Sequence, residues 1–230
     1  IDYGNMSDNT VYNRTAQLNY PLRTISASWP LVKSVAAPDG IGGERVTSYS
    51  YKNAVFHQRG RGLIGFMQTS TNDSDAMTTY VCDYRYDPNE YIMGKAHEAT
   101  LLDNDTIAVV EYTNSLARHN YSNGFSSFSY LPTTITERTW EYNSDALVRQ
   151  LTTAMQYDDH GNMTHSVTSS LTGLVVATAN TYSDIIDNLN VSHPRWYLGR
   201  LTQTSVSKSR DGESNTRNST FSYYTSSGDG

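Results

Sequence analysis

"HQRGRGLIGFMQ", residues 57–68, is the stretch on which the reading of this chain turns. Gly60, Gly62 and Gly65 fit G-x-G-x-x-G, the spacing of a dinucleotide-binding turn. That turn needs a buried strand before its first glycine, a helix after it, and a returning parallel strand that ends in an acid. Phe56, His57, Gln58 and Arg59 are too polar as a group for a buried parallel strand. "FMQTSTNDSD" (66–75) is strand-like and then turn-like, with no helical pattern. The dinucleotide reading fails on both sides of the motif, and no cofactor is expected. Glycine also tolerates positive φ and leaves room for a neighbouring backbone. Gly60 and Gly62 are therefore expected in a turn or bulge, with Leu63, Ile64 and Phe66 as core anchors of the strand that follows.

Composition agrees with a chain of strands. Hydrophobic residues are 37% of the 230, a share to which 18 tyrosines contribute, and charged residues only 17%. Ser, Thr and Asn fill most of the rest, which suits strand faces that carry hydroxyls and amides instead of Lys and Glu. Net charge is −6, and the 17 lysines and arginines are scattered. A nucleic-acid surface would gather them on one face, so no nucleic-acid partner is expected. No apolar run approaches the roughly 20 residues of a membrane-spanning helix. The first residues lack the basic start and apolar run of a signal peptide. The chain runs from Ile1 to "YYTSSGDG", and both ends read as cuts in a larger polypeptide. Cys82 is the only cysteine, so no internal disulfide forms and the compartment is left open. Asn-x-Ser/Thr sequons at Asn5, Asn13, Asn72, Asn104, Asn120, Asn162, Asn190 and Asn218 are first a product of composition. They become glycosylation sites only in a eukaryotic secretory pathway.

Period-2 alternation recurs in "RVTSYSY" (45–51), "TTYVCDYRYD" (78–87), "TITERTWEYN" (134–143) and "GRLTQTSVSKS" (199–209). With Val, Thr and Tyr this is the strand signature. Turn clusters fall between the strands: "APDGIGG" (37–43), "STNDSD" (70–75), "DPNE" (87–90), "LDND" (102–105), "DDHGN" (158–162) and "SRDGES" (209–214). The fold class is all-β, built of antiparallel hairpins and meanders. "SDALVRQLTTAMQY" (144–157) has some helical spacing but alternates into a turn, and is read as strand. "YSDIIDNL" (182–189) carries the pattern of a helical turn. The chain is read as a single β-rich segment, with "SYLPTT" (129–134) as a candidate seam.

Chemistry-bearing constellations are absent from the sequence. His57, His97, His119, His160, His165 and His193 form neither H-E-x-x-H nor H-x-H, and no G-x-S-x-G occurs. His160 and His165, which flank a turn, read as surface residues. Cys82 lies inside an alternating strand and reads as a buried, inert thiol. Asp103, Asn104 and Asp105 hint at a calcium loop, but the glycine and closing glutamate of the twelve-residue pattern are missing. Trp29, Trp140 and Trp196 read first as core and second as stacking platforms for sugar. No catalytic residue, metal ligand or cofactor-binding residue is assigned.

The glycine stretch also resembles the G-R-G-[FL]-L-G-F signature of toxin-complex B components and SpvB-like proteins, relatives of the Rhs/YD-repeat superfamily. Gly60, Arg61, Gly62, Leu63, Gly65 and Phe66 carry it. Other segments agree in order. "TSYSY" (47–51) precedes it. "ITERTWEY" (135–142) resembles the strands between. "MQYDDHGNMTHSV" (155–167) supplies Tyr157, Asp158, Gly161, Asn162 and Thr164 in the repeat pattern Y-D-x-x-G-N-x-T. "WYLGRLTQTSVS" (196–207) supplies Trp196, Leu198 and Gly199, and "TRNSTFSYY" (216–224) resembles a closing segment. The likeness spans roughly residues 45–224. Tyr51, Tyr142 and Tyr157 open comparable units, of which only the last keeps the full motif. In that unit Asp158 is expected to cap the turn, with Gly161 or Asn162 at positive φ.

The resemblance implies a non-enzymatic structural segment of a secreted or extracellular toxin-complex-like protein. Such a segment contributes strands to a hollow β shell that encloses a toxic C-terminal polypeptide and helps deliver it. Its implied partners are the rest of the same polypeptide, the toxin-complex subunits and the enclosed toxin. Relatives cleave themselves at an aspartate in D-P-x-G-L; Asp87-Pro88-Asn89-Glu90 lacks the Gly-Leu, so that activity is not carried over. The alternative is an extracellular β-sandwich adhesion or carbohydrate-binding module.

Overall fold

A computed structural model describes residues 1–120, 124, 126–187 and 195–223, with backbone alone at 184–187 and 195–198. The N-terminal strands are β1 (Asp2–Asn5), β2 (Tyr12–Asn13), β3 (Leu22–Ile25), β4 (Pro30–Pro38) and β5 (Glu44–His57). Then follow β6 (Gly62–Asp73), β7 (Thr78–Tyr86), β8 (Met93–Leu102), β9 (Asp105–Asn120) and β10 (Ser126–Trp140). The last are β11 (Leu147–Tyr157), β12 (Met163–Ser170), β13 (Val175–Asp187), β14 (Arg195–Arg210) and β15 (Glu213–Thr220). The described residues hold strands and turns and no helix.

From β4 onward each strand hydrogen-bonds to the next in sequence, ending with β15, and β1 lies beside β4. The successive pairs from β4 to β9 and from β11 to β15 are antiparallel. The fold is thus the all-β antiparallel meander that the alternation implied. "LTTAMQY" lies in β11, as its alternation requires. The chain forms two compact units, one of Ile1–Asn114 with Glu137–Arg149, the other of Ser115–Thr136 with Gln150–Gly230. Residues 129–134 lie within the unbroken strand β10.

In the first unit, β5 is flanked on one side by β6 and on the other by three segments in turn. β4 takes Glu44–Ser48, β2 takes Tyr51 and Lys52 in the parallel sense, and β3 takes Ala54–His57. This coverage buries the centre of β5: Ala54 and Val55 are both 0% exposed. Met6, Tyr12, Ile25 and Ala54 form the core cluster, against which Tyr51, Phe56 and Phe66 pack. The Tyr12 hydroxyl accepts from Ala54 N at 3.0 Å and donates to Ile25 O, so its polar end is satisfied inside the cluster.

Three expectations need correction. Leu63 is 41% exposed and no core anchor. Val55 pairs Gly65 while Phe56 pairs Leu63, which leaves Ile64 as the extra residue of a bulge and re-aims the side chains on either side of it. Trp29 is 42% exposed because it lies between the bend at Ser28 and β4, outside any strand that would press it onto the core. Residues 182–187 continue β13 and do not form a helical turn, because β14 returns alongside them, Ile185 opposite Tyr197 and Asp187 opposite Arg195. Residues 188 and 189 lie outside the described residues.

Candidate functional site

The glycine motif forms a corner of the first unit. Gly60 and Gly62 have φ of +99° and +71° in the hairpin between β5 and β6, a region costly for any residue with a Cβ. Gly65, at φ +155°, follows the bulge, and a Cβ there would meet Met93 Sδ at 2.7 Å. Arg61 reaches across to the β7–β8 loop. Its guanidinium donates to Glu90 O and lies 3.5 Å from Glu90 Oε2. That loop is itself shaped by Asp87, whose Oδ1 accepts from Asn89 N at 2.9 Å and Glu90 N at 2.7 Å. The His57 ring packs against Tyr91 at a tilt, 4.8 Å between centroids. Arg61 therefore works as a clamp between two loops. Phe66, by contrast, enters the core, 4.9 Å from the Tyr51 ring.

The tyrosine–aspartate motif makes a capped turn between β11 and β12 in the second unit. Asp158 Oδ1 accepts from His160 N at 2.9 Å and Asn162 N at 2.8 Å, and Oδ2 accepts from Asn162 Nδ2 at 2.9 Å. Burial acts to raise the Asp158 pKa, but hydrogen bonds from Asn162 and His160 outweigh it and hold the carboxyl below the usual carboxylate range. Gly161 takes the positive φ, +83°. The Tyr157 hydroxyl donates to Pro132 O at 2.8 Å, and Thr164 Oγ1 donates to Gln156 O at 3.3 Å. Gly199, at φ +71°, lies against the same turn: a Cβ there would fall 2.4 Å from Asn162 Oδ1. Two motifs 37 residues apart thus meet at one close approach, Asn162 on Gly199. Trp196 and Leu198 lie on the backbone of β14, with side chains outside the described residues.

Sequence reasoning placed the recurrence on Tyr51, Tyr142 and Tyr157; the structure places it in loops. Asp39–Gly43, Asp158–Asn162 and Ser170–Leu174 share one geometry. The first residue's N–H donates to the fifth residue's carbonyl at 3.0 Å in each. The fifth residue's N–H returns to the first side chain at 2.8, 2.8 and 3.2 Å. The fourth residue is a glycine with φ of +99°, +83° or +77°. The readable signal was [DS]-x-x-G, present in "DGIGG" and "SLTGL" without a leading tyrosine.

A third cluster, centred on Glu98, was not anticipated. Glu98 is 8% exposed and accepts from Tyr80 and Lys95 on Oε1 and from Tyr112 on Oε2 at 2.6 Å. Cys82, 1% exposed, points its sulfur at Oε1 from 3.8 Å. Lys95 and Glu98 are three apart on one strand, which ordinarily puts them on opposite faces. Asp83 pairs His97 and Tyr84 pairs Lys95, so Ala96 is an extra residue, and this bulge brings both side chains to one face. Burial acts to raise the Glu98 pKa, yet the Lys95, Tyr112 and Tyr80 hydrogen bonds hold it below the usual range. Burial, then the Glu98 hydrogen bond, push the Tyr80 and Tyr112 phenols up, and burial pushes up the Cys82 thiol. Such a thiol is a poor nucleophile.

The histidines are less exposed than their turn positions suggested. His160 and His165 are half-buried, and His160 faces His119 at 5.4 Å between ring centroids. Among the described residues no group of three His, Cys, Asp or Glu converges as metal ligands. No helix among them is long and apolar enough to cross a membrane.

No family model and no curated protein matches the sequence. The fold is similar to one in the crystal structure of TcdB2-TccC3, a Tc toxin component. The TM-score is 0.58 at 10% identity, over 81% of this chain and 13% of that one. The likeness shows the fold: an antiparallel, all-β architecture of Tc toxin type. The chain spans only that small part of the neighbour's length.

Proposed function

We propose that the chain is a non-enzymatic wall segment of a secreted, Rhs/YD-repeat toxin-complex-like protein. In this reading its strands form part of a β shell that encloses a toxic C-terminal polypeptide and helps deliver it. The observation that carries the reading is the likeness of fold to TcdB2-TccC3, in a chain whose motifs resemble those of that family in order. The polar side chains described in those motifs, Arg61, Asp158 and Asn162 among them, serve turns and contacts within the protein. Arg61 clamps a loop, Asp158 caps one, and Gly199 admits Asn162. That is what containment asks of a wall. The partners are the remainder of the same polypeptide and the other toxin-complex subunits.

Limited proteolysis of the intact polypeptide tests this. The tail should resist protease while the wall is folded and become cleavable in a Gly199→Val variant that remains soluble. A tail cut at equal rates in both proteins would refute enclosure. A glycan-binding module remains the second reading, favoured by the exposure of Trp29 at 42%. Saturable binding on a glycan array, lost in Trp29→Ala, would replace the wall reading.

A further inference from the structure

Residues Arg14, Thr15, Ala16, Gln17 and Leu18, which follow β2, share one surface groove with Arg23 and Thr24 of β3. Both walls of this groove are pinned. Asn53, at φ +51° and 9% exposed, turns its side chain away from β5 into the loop. Its Oδ1 accepts from Thr15 N at 2.8 Å and Ala16 N at 2.9 Å. Across the groove Thr24 Oγ1 donates to Ala16 O at 2.7 Å. Arg23 stands opposite Phe56 in the β3–β5 register, its guanidinium 5.5 Å from the ring centroid. Stacking of this kind fixes a guanidinium while leaving its in-plane N–H donors open to an acceptor.

Several basic side chains elsewhere pair with acids, as Arg45 does with Asp73, Arg138 with Glu111 and Lys33 with Asp8. Neither Arg14 nor Arg23 has a carboxylate partner among the described residues, and no acid lines the groove. In a chain of net charge −6, two guanidiniums share a rigid polar groove with nothing to neutralise them. The geometry points to an oxyanion site, with Arg14 and Arg23 as its two forks and Gln17 as a neutral donor. A guanidinium fork matches two oxygens of a tetrahedral or planar anion, and two forks match a dianion. The ligand class is a phosphate group, free or carried on a lipid headgroup. The inference does not depend on the wall role.

Titration calorimetry with inorganic phosphate at fixed ionic strength is the primary test. Saturable binding is expected for the unaltered chain, weakened at least tenfold in Arg14→Ala and in Arg23→Lys. The lysine keeps the charge and the stem over Phe56 but loses the fork. Arg14 is exposed, so Arg14→Ala should unfold at the same temperature as the parent. Flotation with phosphatidic acid vesicles, against phosphatidylcholine vesicles, separates the sources. Flotation lost in Arg14→Ala assigns a headgroup, and phosphate binding without flotation assigns a free ligand. Absence of saturable phosphate binding, or equal affinity in Arg14→Ala, would overturn the site.

Discussion

Gly199 matters for the room it leaves. An added Cβ would meet Asn162 Oδ1 at 2.4 Å in a backbone of φ +71°, so both space and conformation oppose it. Gly199→Ala should cost about 2–3 kcal/mol in urea unfolding. Gly60→Ala, where a Cβ meets open space and only φ resists, should cost about 1 kcal/mol. Combining Gly199→Ala with Asn162→Ala removes the colliding atom, so the double variant should lose clearly less than the two single losses added together. Additive losses would mean that the two motifs do not touch. Glu98 invites a different measurement. Its folded pKa lies below the unfolded value of about 4.3. The stabilisation is therefore full above that pH and is lost as pH falls through the folded value. Glu98→Gln should lower the urea midpoint at pH about 7, since a charge-assisted set of hydrogen bonds is worth roughly 1.5–3 kcal/mol per bond. It should also flatten the acid limb below pH about 4. An acid limb of unchanged steepness would remove Glu98 from the account. The phenols work in the opposite direction. Tyr80 and Tyr112 are raised, so their contribution is intact below the unfolded pKa of about 10 and fades as the solution turns more alkaline.

At the scale of strands and loops, the shared five-residue loop explains what the sequence made legible and what it hid. Alternation marked the strands, because a two-residue period is written directly into Val, Thr and Tyr placement. The turn at 158–162 was legible because aspartate and glycine each have one structural reason to be there. The turn at 39–43 was legible in "APDGIGG", but its kinship with 158–162 was not, nor was the turn at 170–174, because neither carries the leading tyrosine of the repeat pattern. Bulges were the other blind spot. The extra residues Ile64 and Ala96 follow from cross-strand pairing, which one strand's own sequence does not express. Hence Leu63 was misplaced, and Lys95 and Glu98 were never brought together. Asp158→Ala should cost about 1 kcal/mol through loss of the cap. Ser170→Asp should raise stability by several tenths of a kcal/mol, because a carboxylate at that position caps two amides in the other loops where serine caps one. Thermal unfolding of both variants checks the pair, and a destabilised Ser170→Asp would mean that the three loops are not interchangeable.

For the molecule as a whole, the most protected backbone should be the middle of the first unit. Ala54, Val55 and Cys82 are at most 1% exposed, whereas β15 is exposed along nearly its whole length. Hydrogen exchange should therefore be slowest in β5 and β7 and fastest in β15, by orders of magnitude. Equal protection in β15 would indicate a cover over it that these strands do not provide. The same burial gives Cys82 a practical use. A single thiol sealed beside Glu98, in a chain with no other sulfhydryl, is a reporter built into the fold. A thiol reagent cannot label it until β7 and β8 part, so the labelling rate reads the opening of that strand pair directly, without an engineered probe. The single cysteine offers no chemistry to the function proposed here, but it makes the opening of its own strand pair measurable in the unaltered protein.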